Sequence, residues 1–245
     1  MFDTIILLTG QAEHATLSAL LRRHNPRLTV HAAQTLAELE AFEPRLLRRA
    51  RLIAFLTPVI VPPSILDRLG FGAYNFHPGP PDYPGFVPSH FATYDGAAGF
   101  GATAHVMVAQ VDAGPIVGVE LFDIPRGIGV LALERLAFIE LARLFWKLAN
   151  ALATQERPLE ELPIRWCGRK TTRRMYEAMC DIPLDISKEE LARRLRVFGD
   201  GHFGIHPTIT IDGRRFRYAK PQAEDAAPVA PSIAPSQELE VELAG

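Results

Sequence analysis

The chain is short of several things at once. Its 245 residues include two cysteines, Cys167 and Cys180, too few for a disulfide framework or a four-cysteine metal site, and a reducing cytoplasmic setting is expected. Net charge is only -2, which gives no global electrostatic case for a nucleic-acid or membrane-surface protein. The longest apolar run, Leu52 to Leu66, is too short to span a bilayer and contains three prolines. The opening MFDTIILLTG has no basic leader or small-residue cleavage site, and no internal repeat is visible, so no membrane association is expected. What is present is ordinary globular material. It is 48% hydrophobic and 9% aromatic, enough to bury a sizeable core.

Charge is unevenly spread along the chain. Residues 1–161 carry 13 basic and 16 acidic side chains, residues 162–220 carry 13 and 7, and residues 221–245 carry none and 5. The last stretch is rich in Pro, Ala and acid without a period, and reads as a flexible acidic tail. In the first part, short apolar runs alternate with helical patterns. Thr4–Leu8, Leu28–Ala32, Arg51–Leu56, Ala73–His77, Ala102–Val108 and Ile116–Phe122 have strand character, and Val130 to Thr154 repeats as one long helix. This order predicts an α/β fold: a Rossmann-like, mostly parallel sheet with helices on both faces. Beyond it, Ser187 with Glu190 forms a capping-box signature, and HPTITIDGRRFRYAK reads as a hairpin turning at Asp212–Gly213. A small C-terminal helix-and-hairpin subdomain follows. The expected division is 1–157, 158–220 and the tail at 221–245.

The densest cluster of chemically useful residues lies between Asn75 and Asp112. Asn75 and His77 stand two apart at the end of an apolar strand, so strand alternation points both side chains to one side. The run after them, Pro78, Gly79, Pro80, Pro81, Pro84 and Gly85, makes a stiff loop. An amide and an imidazole at a sheet's carboxyl edge can polarise a carbonyl and move a proton. The plainer alternative is a turn-capping Asn beside a satisfied, half-buried His. Apart from His77 and His105, the other six histidines are scattered and offer no clear ligand set, so no metal is expected.

The run NFHPGPPDYPGFVP, followed by GATAHVM and VDAGPI, resembles the N10-formyltetrahydrofolate-dependent formyltransferase family. That family includes methionyl-tRNA formyltransferase and the sugar-nucleotide N-formyltransferases. The resemblance implies Asn75, His77 and Asp112 as catalytic residues, with Thr103, His105 and Gly114 in the supporting pattern. It implies N10-formyltetrahydrofolate as co-substrate, held near Phe55, Leu56, Thr57, Ile60 and Val61 on one side and Ala109, Gln110 and Val111 on the other. The expected activity is transfer of a formyl group to a primary amine, on a nucleotide-linked amino sugar or other small molecule. Methionyl-tRNA, hydrolysis of the co-substrate and a non-catalytic folate-binding module are the alternatives. The family loop reads Ser-Leu-Leu-Pro after the His-Pro, where this chain has Gly79-Pro80-Pro81, which bears on the acceptor more than on the reaction. Analogy with the sugar enzymes also suggests a homodimer.

Overall fold

The computed structural model describes residues 2–167 and 169–219, so the acidic tail expected at 221–245 lies outside the described residues. Strands β1 (Thr4–Leu8), β2 (Thr29–Ala33), β3 (Ala50–Phe55), β4 (Ala73–His77), β5 (Gly99–Val106) and β6 (Ile116–Asp123) form one sheet in the order β2-β1-β3-β4-β5-β6. The first four strands run parallel, and β5 alone is reversed, antiparallel to both β4 and β6. The sheet is therefore mostly parallel, as the strand–helix alternation predicts.

Apolar runs such as TIILL are buried along their whole length because helices cover both faces. On one face, α1 (Gln11–His24) and α6 (Val130–Thr154) pack Leu17, Leu21, Leu141, Leu144 and Phe145 against Ile5, Ile53, Phe55 and Phe76. On the other, the short helices α2 (Leu36–Glu40), α3 (Pro44–Leu47) and α4 (Pro63–Leu66) place Leu39, Leu47 and Ile65 against Ile6, Leu8, Leu52 and Ala54. Helix α5 (Pro88–Asp95) follows the Pro/Gly loop and ends at Gly96 in a left-handed conformation. Among the described residues no helix is long and apolar enough to cross a membrane.

The C-terminal part contains α7 (Arg173–Cys180), β7 (Asp181–Ile182), α8 (Lys188–Phe198), a 3-10 turn at His202–Gly204, and the hairpin β8 (Thr208–Ile211) and β9 (Arg214–Arg217). Sequence reading did not single out α7, whose N-terminus is capped by Thr172 accepting from the Met175 N–H. The capping box at α8 is half formed. Ser187 Oγ accepts from the Glu190 N–H, but the Glu190 carboxylate accepts from Tyr94 Oη at 2.6 Å and Arg194 Nε at 2.7 Å. The carboxylate thus joins α8 to α5 instead of closing its own cap.

One buried charge fixes the long helix to the sheet. Arg51, on β3, is fully buried and has no carboxylate partner among the described residues. Its guanidinium donates to the carbonyls of Phe71 (3.0 Å), Leu152 (2.6 Å) and Gln155 (2.8 Å), and lies 4.6 Å from the Phe2 ring centroid. It thereby satisfies carbonyls at the end of α6 that have no partner within the helix, and a cation there complements the helix dipole. Arg51→Ala would leave those acceptors buried and unpaired, and is expected to cost roughly 3–5 kcal/mol in urea unfolding. Arg51→Lys, which lacks the planar fork, should recover less than half of that. A loss under about 1 kcal/mol in the Ala variant would remove Arg51 from this role.

Candidate active site

Strand alternation sorts β4 into two rows. Tyr74 and Phe76 enter the α1/α6 core, while Ala73, Asn75 and His77 face the other side. On β5, Thr103 and His105 lie on that same side, His105 paired with Asn75 and Thr103 with His77. Four polar side chains therefore share one patch near the carboxyl end of β4. Thr103 Oγ1 donates to the Gly79 carbonyl at 2.8 Å and ties the Pro/Gly loop to the sheet.

Asp112 arrives from the β5–β6 loop. Its backbone is left-handed, with φ of 45°, a conformation that Asp tolerates better than most residues. Two residues on, Gly114 approaches the Val106 backbone so closely that a Cβ would collide with its carbonyl oxygen. Gly85 has φ of 100°, and a Cβ there would run into the Thr171 backbone. Its N–H donates to Asp112 Oδ2 at 2.7 Å. Leu56 and Val87 are also left-handed, at φ of 49° and 46°. Three of the five described non-glycine residues with positive φ thus border this patch, and such strain persists only where the surroundings over-determine it.

The carboxylate faces two imidazoles. His105 Nε2 lies 3.2 Å from Asp112 Oδ1, and His77 Nδ1 lies 3.4 Å from Oδ2. The outer ring nitrogens meet backbone carbonyls, His105 Nδ1 at Val106 (2.9 Å) and His77 Nε2 at Tyr83 (3.0 Å), so each of these carries a proton. The inner nitrogens are left as the positions where a further proton would be held by the carboxylate. Asn75 Nδ2 lies 3.1 Å from the same His105 Nε2. That nitrogen can accept from Asn75 or donate to Asp112, one at a time. A proton moving onto it would release the Asn75 amide. Burial alone would raise the Asp112 pKa, but the His105 hydrogen bond, the two imidazoles and the Gly85 N–H bring it down to about 2. Burial lowers the His77 pKa, and the nearby Asp112 charge and the Tyr83 carbonyl only partly reverse this.

Residues 159–167 and 169–171 lie across this patch as a strap. The Leu162 N–H donates to the Ile116 carbonyl, Cys167 to Pro81 and Thr171 to Pro84, while Lys170 Nζ binds the Val111 carbonyl. Trp166 donates its indole N–H to the Gly114 carbonyl at 2.9 Å and presents its ring edge-on to both His105 and His77, at centroid distances of 5.0 and 5.7 Å. Sequence reading missed Trp166, and gave His105 only a supporting place although it touches both Asn75 and Asp112.

The residues expected around a co-substrate occupy two loops. Phe55 and Val61 turn their side chains into the cores, leaving only backbone for a ligand. Leu56 and Thr57 are half-buried, and Ile60, Ala109, Gln110 and Val111 are exposed. Val61 and Met107, one near each loop, pack in the same apolar cluster.

Solved formyltransferases share this fold. A sugar N-formyltransferase from a Shewanella species has a TM-score of 0.71 at 16% identity, covering 89% of this chain and 96% of that one. The N-formyltransferase from Helicobacter canadensis, in complex with folinic acid and dTDP-3-aminofucose, has a TM-score of 0.61 at 15% identity over 87% and 85% of the two chains. Methionyl-tRNA formyltransferase from Clostridium thermocellum has a TM-score of 0.61 at 16% identity over 92% and 95%. Neither a family model nor a curated protein sequence matches the chain.

Because the folded-state pKa of Asp112 lies below its ordinary 3.8, the carboxylate contributes stability above that value and loses it as pH falls toward about 2. The contribution is about 2 kcal/mol. The stability difference between the wild type and Asp112→Asn should be constant from pH 7 to about 5 and shrink by that amount on acidification to about pH 2. Urea midpoints across this range test it, and a difference independent of pH would contradict the buried, ionised carboxylate.

Proposed function

We propose that this chain is an N-formyltransferase that moves a formyl group from N10-formyltetrahydrofolate to a primary amine on a nucleotide-linked amino sugar or similar small molecule. The observation that carries the proposal is the convergence of Asn75, His77 and Asp112 on one patch, with donors and an ionised carboxylate in mutual reach. The shared fold and the ligands of the Helicobacter enzyme support it. Residues 1–157 form the catalytic domain in this reading, and 158–220 the smaller subdomain.

Exposed Ile60 and Val111, on the two loops near the patch, supply an apolar lining suited to a flat pterin. The co-substrate supplies an activated formyl carbon when bound. Asn75 Nδ2–H and His77 Nε2–H then donate to the formyl oxygen, where negative charge grows as the amine attacks. His77 exchanges its Tyr83 carbonyl for that oxygen. Asp112 holds the amine's proton on an inner imidazole nitrogen before it passes to N10, as the carbon–N10 bond breaks and the carbon–amine bond forms.

A small acceptor fits better than tRNA because at least four of the thirteen basic side chains of residues 162–220 make contacts within the chain. Arg173 pairs with Glu177, Arg194 with Glu190, Lys170 binds the Val111 carbonyl and Arg193 the Tyr94 carbonyl. The cytoplasmic setting and homodimer belong to this same reading.

Incubation with formyl-folate and a panel of amino-sugar nucleotides should give an acceptor heavier by one formyl group. Asp112→Asn should lower kcat by roughly 10²–10⁴ and Asn75→Ala by about 10²–10³, both with small changes in KM. Because burial lowers the His77 pKa, the acid limb of kcat/KM should fall below the ordinary histidine value of 6.5, with activity lost as His77 protonates. If no acceptor gains mass and formate appears without any amine, hydrolysis replaces transfer. If neither occurs, the assignment fails.

Trp166 packs edge-on to both histidines, whereas Trp146 is 64% exposed on α6. In a Trp146→Phe variant, folinic acid should quench the remaining indole fluorescence saturably. Binding by calorimetry without any change in fluorescence would place the ligand elsewhere.

A further inference from the structure

His90 and His202 stand far apart in the sequence, and the fold brings them together with Glu134, away from the Asn75–His77–Asp112 patch. His90 lies on the first turn of α5, Glu134 on α6, and His202 opens the 3-10 turn after α8. The ligating atoms of the three residues lie within 4.8 Å of one another, with His90 Nδ1 3.6 Å from Glu134 Oε1. The His90 and His202 rings approach to 5.0 Å between centroids.

We propose that His90, Glu134 and His202 bind a divalent transition-metal ion of the zinc class. Two features separate this cluster from an ordinary core histidine. His90 is 2% exposed and its Nδ1 has no hydrogen-bond partner among the described residues, although it points at a carboxylate. Buried polar atoms are nearly always satisfied, so a ring nitrogen left without a hydrogen bond beside a carboxylate and a second imidazole calls for a partner. The surrounding shell is also built. Ser89 Oγ donates to Glu134 Oε1 at 3.0 Å, and Tyr176 and Phe198 pack around the His90 ring. Orientation of ligands by such neighbours is characteristic of metal centres.

The donor set also selects the ion. Two imidazoles and one carboxylate suit Zn²⁺, Co²⁺ or Ni²⁺, whereas Mg²⁺ and Ca²⁺ take oxygen ligands. Ligand atoms on a tetrahedral zinc sit about 3.3 Å apart, so His90 and Glu134 are already nearly in place. His202 has the remaining distance to close. Gly201, just before its short turn, and Gly204, the turn's last residue, both hold positive φ, a conformation open to glycine at no steric cost. Half-buried Glu134 and His202 leave a way in from solvent, and a water would complete the coordination. The ion would tie the C-terminal part to α5 and α6. The two histidines counted as scattered on sequence grounds are then two ligands of one site.

The test uses the full, untagged chain after chelator treatment. Titration with Co²⁺ should produce visible absorption bands saturating at one equivalent, and Zn²⁺ should displace them. Zn²⁺, but not Mg²⁺, should raise the thermal midpoint. His202→Ala and Glu134→Gln should each weaken Zn²⁺ binding by about 100-fold or more. Far-UV circular dichroism and the metal-free thermal midpoint should stay unchanged, since His90 is left intact within its aromatic surroundings. Absence of stoichiometric Co²⁺ binding would overturn the proposal. So would an equal response to Mg²⁺, or undiminished Zn²⁺ affinity in either variant.

Discussion

Asp112 is buried and ionised, and a carboxylate in that position is tolerated only when hydrogen bonds and nearby positive groups replace the water it has lost. The Gly85 N–H in the Pro/Gly loop donates to it directly, and the inner nitrogens of His77, at the end of β4, and His105, on β5, face it where a further proton is held. Meeting all of them requires Asp112 to adopt a left-handed backbone, Gly114 to press against the Val106 carbonyl, and Gly85 to turn where no side chain fits. The loops, the strand register and the strap all follow from keeping that one charge satisfied.

The Pro/Gly loop shows how this demand shapes a segment that would otherwise have little to hold it. Proline has no N–H to donate, so a loop rich in it is held mostly through its carbonyls and its restricted φ. The Gly79 carbonyl accepts from Thr103, the Tyr83 carbonyl from His77, and the Pro84 carbonyl from Thr171. Two of these three donors come from the sheet and one from the strap. The loop is therefore clamped between them, which positions Gly85 for Asp112 and leads the chain through strained Val87 into α5.

Much of this was legible in the sequence because it depends on local periodicity. The two-residue spacing of Asn75 and His77 placed both on one side of β4, and the run VDAGPI placed Asp112 between two strand-like segments. The parallel strands announced themselves as short apolar runs. What stayed hidden depends on register and long-range approach. His105 looked peripheral because nothing local reveals that it pairs with Asn75 across β4 and β5. Trp166 lies more than fifty residues beyond Asp112, in a stretch whose polar texture suggested surface rather than a strap over two imidazoles. Arg51 read as the edge of a strand, and its burial could be inferred only by knowing that the end of α6 supplies carbonyls without partners. Glu190 carried the correct capping signal, yet Tyr94 and Arg194 compete successfully for its carboxylate.

Three buried histidines illustrate how surroundings, more than residue type, decide what an imidazole does. His77 and His105 each have one nitrogen fixed by a backbone carbonyl and the other facing a shared carboxylate, so protonation at the inner position meets a ready countercharge. That arrangement suits a proton that moves. His90 sits among aromatic rings, where burial and the neighbouring His202 hold its pKa down to about 4, and its open Nδ1 faces Glu134 with no carbonyl to fix a proton there. An imidazole that stays neutral with an unshared lone pair is poorly suited to shuttling protons and well suited to donating that pair. One residue type thus meets two different settings at opposite ends of the loop and helix joining His77 to His90, and the distinction rests on where each ring finds its hydrogen-bond acceptor.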